Sequence, residues 1–115
     1  LADRAAKNGA YFVNALKQVA TEHPSLIREV RGMGLLIGVE FTDADIAALV
    51  IAGLFQRYIL AAYTLNNPCV IRFEPPLIIE REQINQVVDA FSQALIDCSK
   101  LLSSLETAQS ITHQT

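Results

Sequence analysis

An apolar run of twenty residues, positions 46–65 (IAALVIAGLFQRYILAAYTL), limits the folds that this chain can adopt. The run is long enough to cross a bilayer, and its strongly polar residues are Gln56 and Arg57. Arg57 lies near the centre, where an arginine costs about 2.5–3.5 kcal/mol on insertion scales, and a single span has no partner helix to shelter it. We therefore predict two buried elements that meet at Gln56 and Arg57, and no membrane partner.

The composition favours one folded domain. With 115 residues, of which 51% are hydrophobic and 18% charged, the chain can bury a modest core, and general disorder is excluded. Nine basic and twelve acidic residues give a net charge of −3, and the basic residues are scattered. That distribution offers no stripe to follow a phosphate backbone, so we expect no nucleic-acid partner.

The cysteines and histidines form no metal motif. Cys69 and Cys98 stand apart, and no CxxC or HExxH spacing occurs. We predict two reduced, buried thiols and no metal site. The sequence does not open with a basic segment and a short apolar core, which favours a cytoplasmic location.

Apolar residues at helical spacing predict three helices. The first covers residues 1–21. The second starts with Thr42 as its N-cap and Asp45 three residues later, and runs to about Arg57. The third begins after Ile79 and carries one long apolar stripe. On the first helix the predicted polar face consists of Lys7, Asn8, Asn14, Lys17 and Gln18.

Short runs of apolar and β-branched residues predict four strands, at 26–30, 35–41, 58–64 and 69–73. The last two are joined by a turn and should pair antiparallel. The predicted fold class is α+β, with helices covering one face of a small, mostly antiparallel sheet. We assign residues 1–105 to this domain and residues 106–115 to a polar tail that is expected to fray. Because the first residues already have a helical pattern and Met33 is the sole methionine, we expect a longer parent chain.

The glycines of residues 31–34 (RGMG) do not form a phosphate-binding loop. The third glycine of a GxGxxG motif would fall at position 37, which is Ile37, and a strand rather than a helix follows. We assign Gly32 and Gly34 to backbone conformations that need no Cβ.

Arg72 is the candidate binding residue. Alternation along its strand puts Phe73 on one face and Val70 and Arg72 on the other. A guanidinium held in this way can bind a carboxylate through two parallel hydrogen bonds. The alternative is a surface arginine paired with Glu74 or Glu29. No serine, histidine or acidic residue has a catalytic setting, so we assign no catalytic, cofactor-binding or metal-binding residue.

Three segments resemble a known family: residues 29–41 (EVRGMGLLIGVEF), 64–79 (TLNNPCVIRFEPPLII) and 80–95 (EREQINQVVDAFSQAL). Together they resemble the C-terminal small domain of class III pyridoxal-phosphate-dependent aminotransferases, which act on ornithine, acetylornithine, diamines or 4-aminobutyrate. The resemblance extends over residues 1–105. The letters TLNN before IRFEPP are more similar to the putrescine or diamine branch than to the acetylornithine branch.

This resemblance implies a fold type I enzyme built as a homodimer. Its cofactor, pyridoxal 5'-phosphate, would be bound by a large domain absent from this chain, because Lys7, Lys17 and Lys100 lie on predicted helix surfaces. The resemblance carries one functional position over, Arg72, which in relatives binds a substrate carboxylate or pairs with a glutamate of the large domain. The implied reaction moves an amino group from a diamine or ornithine-like donor to a 2-oxo acid such as 2-oxoglutarate.

The chain by itself is expected to be inactive, since the catalytic lysine is missing. A different interpretation is a regulatory, ligand-binding or dimerisation module that has kept the fold and lost the chemistry.

Overall fold

The computed structural model describes residues 2–33, 36–59, 61–64, 66–73 and 80–114. Within these ranges, three helices and four strands follow one another in the predicted order, and the fold is α+β. The elements are α1 (Ala2–Glu22), β1 (Ile27–Met33), β2 (Leu36–Phe41), α2 (Ala44–Gln56), β3 (Ala62–Thr64), β4 (Asn67–Phe73) and α3 (Arg81–Gln114).

The strands form one sheet in the spatial order β1-β2-β4-β3. β1 and β2 make one hairpin, in which Met33 lies opposite Leu36, and β3 and β4 make the other. α2 connects the hairpins, so β2 pairs with β4 in the middle of the sheet and Ile37 lies opposite Phe73. Each described strand pair is antiparallel, as predicted.

The sheet has two unlike faces. Residues that lie directly opposite on neighbouring strands point to the same side of a sheet. One side is apolar, and the helices pack against it. Its buried side chains are Ile27, Val30, Ile37, Val39, Phe41, Ile71 and Phe73.

Aromatic rings connect this face to two helices. Phe73 of β4 lies between Phe12 of α1 and Phe91 of α3, with ring centroids 5.8 Å away on each side. The Phe73 and Phe91 rings are perpendicular, at 89°, which is a favoured edge-to-face arrangement. Phe91 also contacts Phe41 of β2 at 6.4 Å. These contacts fix which side of β4 faces the core.

The long apolar run is interrupted at Arg57, as predicted. α2 ends at Gln56, and the Arg57 guanidinium donates to the Gly53 carbonyl at 2.9 Å and to Asp97 of α3 at 2.6 Å. The two helices pack closely here, because a Cβ on Gly53 would lie 3.1 Å from the Cβ of Ala94. Among the described residues, no helix has both the length and the apolar character needed to cross a membrane.

The predicted N-cap of α2 is wrong by one residue. Asp43 occupies that position, and its side chain accepts from the Asp45 N–H at 2.7 Å. The hydroxyl of Thr42 instead donates to the Ser25 carbonyl at 2.8 Å, across the entry to β1. A carboxylate next to a helix N-terminus also interacts favourably with the helix dipole, so Asp43 is the better cap.

Asn8 does not belong to a solvated face of α1. It is buried, with 7% of its surface exposed, and it lies in line with Phe12 and Leu16 at spacings of four and eight residues. The helix is therefore rotated toward Asn8 relative to the prediction.

The third strand is shorter than predicted because the chain is still leaving α2 at residue 58. The N–H of Tyr58 bonds to the Phe55 carbonyl, and Tyr58 adopts a left-handed φ of 64°.

The prediction that Gly32 needs to lack a Cβ is wrong. A Cβ there would contact only Val13, at an ordinary 3.7 Å, and the φ of Gly32 is not left-handed. Gly34 lies outside the described residues.

α3 continues past the predicted domain boundary at residue 105. Its helical backbone runs to Gln114, where the sequence predicts a frayed polar tail. The described side chains after Leu102 are exposed, so this part of the helix extends away from the core. The boundary itself stays a prediction.

Replacing Phe73 with alanine should lower the free energy of unfolding by about 3–5 kcal/mol, because the change removes the ring between two aromatic neighbours and leaves a cavity. Urea unfolding followed by circular dichroism would measure this loss. Phe55→Ala is the matched control, since Phe55 is 66% exposed and its loss should change stability little. Equal losses for the two variants would contradict the central position of Phe73.

Asp97 should make the stability of the domain depend on pH. Hydrogen bonds from Arg57 and Gln93 hold the pKa of the Asp97 carboxyl below its usual range. Because the folded-state pKa is lowered, this contribution is complete above the ordinary carboxyl pKa and is lost as the pH falls through the lowered value. Asp97→Asn should therefore lower the melting temperature at pH 7. It should have little effect at a pH below the lowered pKa of Asp97, where the carboxyl is already neutral. Glu106→Gln, an exposed change on the same helix, should lower it at neither pH.

Candidate functional site

The side of the sheet opposite the helices carries most of its charged residues. We call this side the open face and define it by Glu29, Arg31, Gly38, Glu40, Ala62, Val70 and Arg72. Two rows cross it. One row runs Arg31, Gly38, Arg72, Ala62, and the next runs Glu29, Glu40, Val70.

Arg72 lies in the middle of the first row. Its neighbours directly across the strands are Gly38 and Ala62, which have no side chain and one methyl group. Neither neighbour therefore places a long or charged side chain beside the guanidinium. Arg72 is half-buried and its Nε atom is buried, while the next residue, Phe73, is fixed in the core. The predicted orientation of Arg72, away from Phe73, is what the strand register gives.

Glu29 and Glu40 lie directly opposite each other in the second row. Two carboxylates in this position repel, but arginines neutralise them here. The Nη1 of Arg31 donates to Glu29 at 2.8 Å and to Glu40 at 3.2 Å. The second carboxylate oxygen of Glu40 accepts from Arg28 at 3.2 Å, and Arg28 occupies the register shift between Ile27 and Glu29.

This arrangement decides part of an alternative that the sequence leaves open. Glu29, one suggested partner of Arg72, pairs with Arg31. The other suggested partner, Glu74, lies outside the described residues. The sequence analysis did not predict the pairing of Arg31 with Glu40. The short connection between β1 and β2 could have indicated it, because it makes the two strands a hairpin.

The start of α3 is attached to α1. Glu80 pairs with Arg4, and the Arg81 guanidinium lies 4.4 Å from the centre of the Tyr11 ring. The Tyr11 hydroxyl donates to Asn85 at 2.5 Å. These contacts hold the first turn of α3 against α1.

The described residues do not fit pyridoxal phosphate. A lysine that holds this cofactor must be buried with a lowered pKa, whereas Lys7, Lys17 and Lys100 are all exposed on helices. Within the described part of the chain, no group of three His, Cys, Asp or Glu side chains could hold a metal ion. Both cysteines are free thiols. Cys98 is buried as predicted, and the burial raises its pKa, whereas the predicted burial of Cys69 is wrong, since this residue of β4 is partly exposed.

Comparison with known proteins gives the family. The family described as Aminotransferase class-III matches residues 1–95. The chain belongs to this family. A putrescine aminotransferase from Pectobacterium atrosepticum is 48% identical over 88 residues, which cover 76% of this chain and 19% of that protein.

Solved structures of aminotransferases have the same fold as this class III chain. The lysine aminotransferase from M. tuberculosis in the internal aldimine form has a TM-score of 0.75 at 25% identity, over 83% of this chain and 21% of that one. An aminotransferase from Bacillus anthracis has a TM-score of 0.73 at 26% identity, over 82% of this chain and 24% of that one. The chain thus spans about a fifth of the length of the curated relative, and a fifth to a quarter of these two structures. The predicted family and fold are confirmed.

Proposed function

We propose that this chain is the C-terminal small domain of a longer aminotransferase that moves an amino group from a diamine or ornithine-like donor to a 2-oxo acid such as 2-oxoglutarate. The similarity to a putrescine aminotransferase supports the donor class. The position of Arg72 between Gly38 and Ala62, on the face turned away from the helices, is the single observation that carries the acceptor class.

Arg72 suits a carboxylate for three reasons. Guanidinium and carboxylate match in a planar, bidentate arrangement. The cross-strand neighbours Gly38 and Ala62 carry no charged or polar side chain that would compete for the guanidinium. The buried Phe73 fixes the strand from which Arg72 projects, so the guanidinium is positioned before the acid binds and less ordering entropy is lost.

The remaining parts of the site are assigned to components outside this chain. We propose that pyridoxal phosphate and its lysine belong to the large domain of the parent protein, and that a second subunit completes a homodimer. This domain then binds the acid and closes the site, and it is inactive on its own. The free thiols of Cys69 and Cys98 agree with the reducing conditions of the cytoplasm, which is the proposed location.

The test uses the protein obtained when the reading frame is continued upstream of Leu1. It should show the visible absorption band of bound pyridoxal phosphate, and putrescine or ornithine should change that band without any acid present. If no cofactor binds and no amino group is transferred between any of these compounds, the proposed activity is wrong. A catalytically inactive regulatory, ligand-binding or dimerisation module of the same fold would then be the better assignment.

Arg72→Gln should raise the KM for 2-oxoglutarate about 10- to 100-fold, since a hydrogen-bonded charged pair contributes about 1.5–3 kcal/mol. The rate of the reaction with putrescine alone should change little, because putrescine has no carboxylate. Steady-state kinetics measures the KM for 2-oxoglutarate, and rapid-mixing absorbance measures the reaction with putrescine alone. Arg4→Gln, at an exposed arginine on α1, is the matched control and should change neither. An unchanged KM for the acid in Arg72→Gln would remove Arg72 from acid recognition.

A further inference from the structure

Glu40 lies between two arginines on the open face. It belongs to β2, with β1 on one side and β4 on the other. Arg31 on β1 and Arg72 on β4 both lie opposite Gly38, two residues from Glu40 along β2. Glu40 is therefore a diagonal neighbour of both. Such neighbours are about 7–8 Å apart, which long side chains can bridge.

Pairing of Glu40 with Arg72 would oppose the binding of an acid. A carboxylate on the adjacent strand acts at a high effective concentration, so it would compete with a free 2-oxo acid for the same guanidinium. The side chain of Glu40 is only 17% exposed, which limits competition from water and strengthens any ion pair that it makes.

The structure places the Glu40 carboxylate on the β1 side. One oxygen accepts from Arg31 at 3.2 Å and the other from Arg28 at 3.2 Å. Arg28 is available because of the register shift between Ile27 and Glu29, and β4 supplies no corresponding second arginine among its described residues. Glu40 therefore has two arginines within reach on β1 and one on β4, which favours the position of its carboxylate beside β1.

We infer that Arg31, together with Arg28, holds the Glu40 carboxylate away from Arg72 and thereby sets the affinity of Arg72 for an acid. Arg31 is a positioning residue in this scheme, because it acts through Glu40 and does not touch the substrate. The inference rests on the proposed function of Arg72. It extends acid recognition to a charge arrangement that involves three strands of the sheet.

The kinetic test uses the extended protein and three variants. Arg31→Met should raise the KM for 2-oxoglutarate about two- to fivefold, the range that a cross-strand ion pair of up to about 1 kcal/mol allows, with the putrescine reaction unchanged. Arg31→Met combined with Glu40→Gln should return the KM to the wild-type value, since the competing charge is gone. Glu29→Gln is the matched control: it removes the other partner of Arg31, leaves Glu40 held, and should not change the KM.

A second readout does not depend on enzyme activity. Nitrogen NMR of the arginine side chains in the 115-residue chain reports the surroundings of Arg72 directly. The Arg72 guanidinium signals should move in Arg31→Met and return in the double variant. If they stay at their wild-type positions in Arg31→Met, Glu40 has not shifted and the inference is wrong, whatever the parent enzyme does.

The outcomes separate this inference from the proposed function. If the extended protein transfers no amino group, the proposed function fails, and the NMR result alone decides whether Arg31 holds Glu40. If transfer occurs and Arg31→Met raises the KM but Glu40→Gln does not restore it, Arg31 contacts the acid itself and the inference is overturned. Restoration of both the KM and the Arg72 signals by Glu40→Gln supports it.

Discussion

The insertion of Phe73 between Phe12 and Phe91 is the contact on which the candidate site depends. It joins the last residue of β4 to the first and last helices. Because side chains alternate along a strand, burying Phe73 turns Arg72 to the other face. A shift of one residue in this strand would place a charged guanidinium in the core, at a large desolvation cost. The core packing of one residue thus selects the direction of its neighbour.

The open face follows a different principle from the core. Its second row contains two glutamates directly opposite each other, an arrangement that is destabilising without counter-charges. Arg31 bridges both carboxylates, and the register shift in β1 brings Arg28 to the same group. The Arg31–Glu29 pair is exposed and contributes little to stability, so the clearer effect of the network is to fix the position of the largely buried Glu40 carboxylate. Positioned charges are what recognition of a small acid requires.

Much of the fold was predictable because it depends on local patterns. Helical and strand periodicity gave the order of the elements, and the resemblance of residues 29–41 and 64–95 gave the family. The errors occurred where a residue several positions away decides the outcome. Thr42 is not the cap because its hydroxyl donates a hydrogen bond to the backbone carbonyl of Ser25. Asn8 is buried because the packing of α1 on the sheet decides which side of the helix faces the core.

The candidate site divides in the same way. Strand alternation alone predicted the face on which Arg72 lies. The pairing of Arg31 with Glu40 could not be derived from alternation, because it requires the register of the β1–β2 hairpin and the shift that adds Arg28. The largest fully buried side chains form one cluster contributed by α1, α2, α3 and the sheet. The open face supplies only charged side chains to the proposed site, because the lysine and the pyridoxal phosphate are assigned to the large domain of the parent protein. Substitutions at Glu29, Arg31 or Glu40 therefore test the proposed acid recognition without leaving a cavity in the core, whereas a change at Phe73 alters both the core packing and the direction of Arg72.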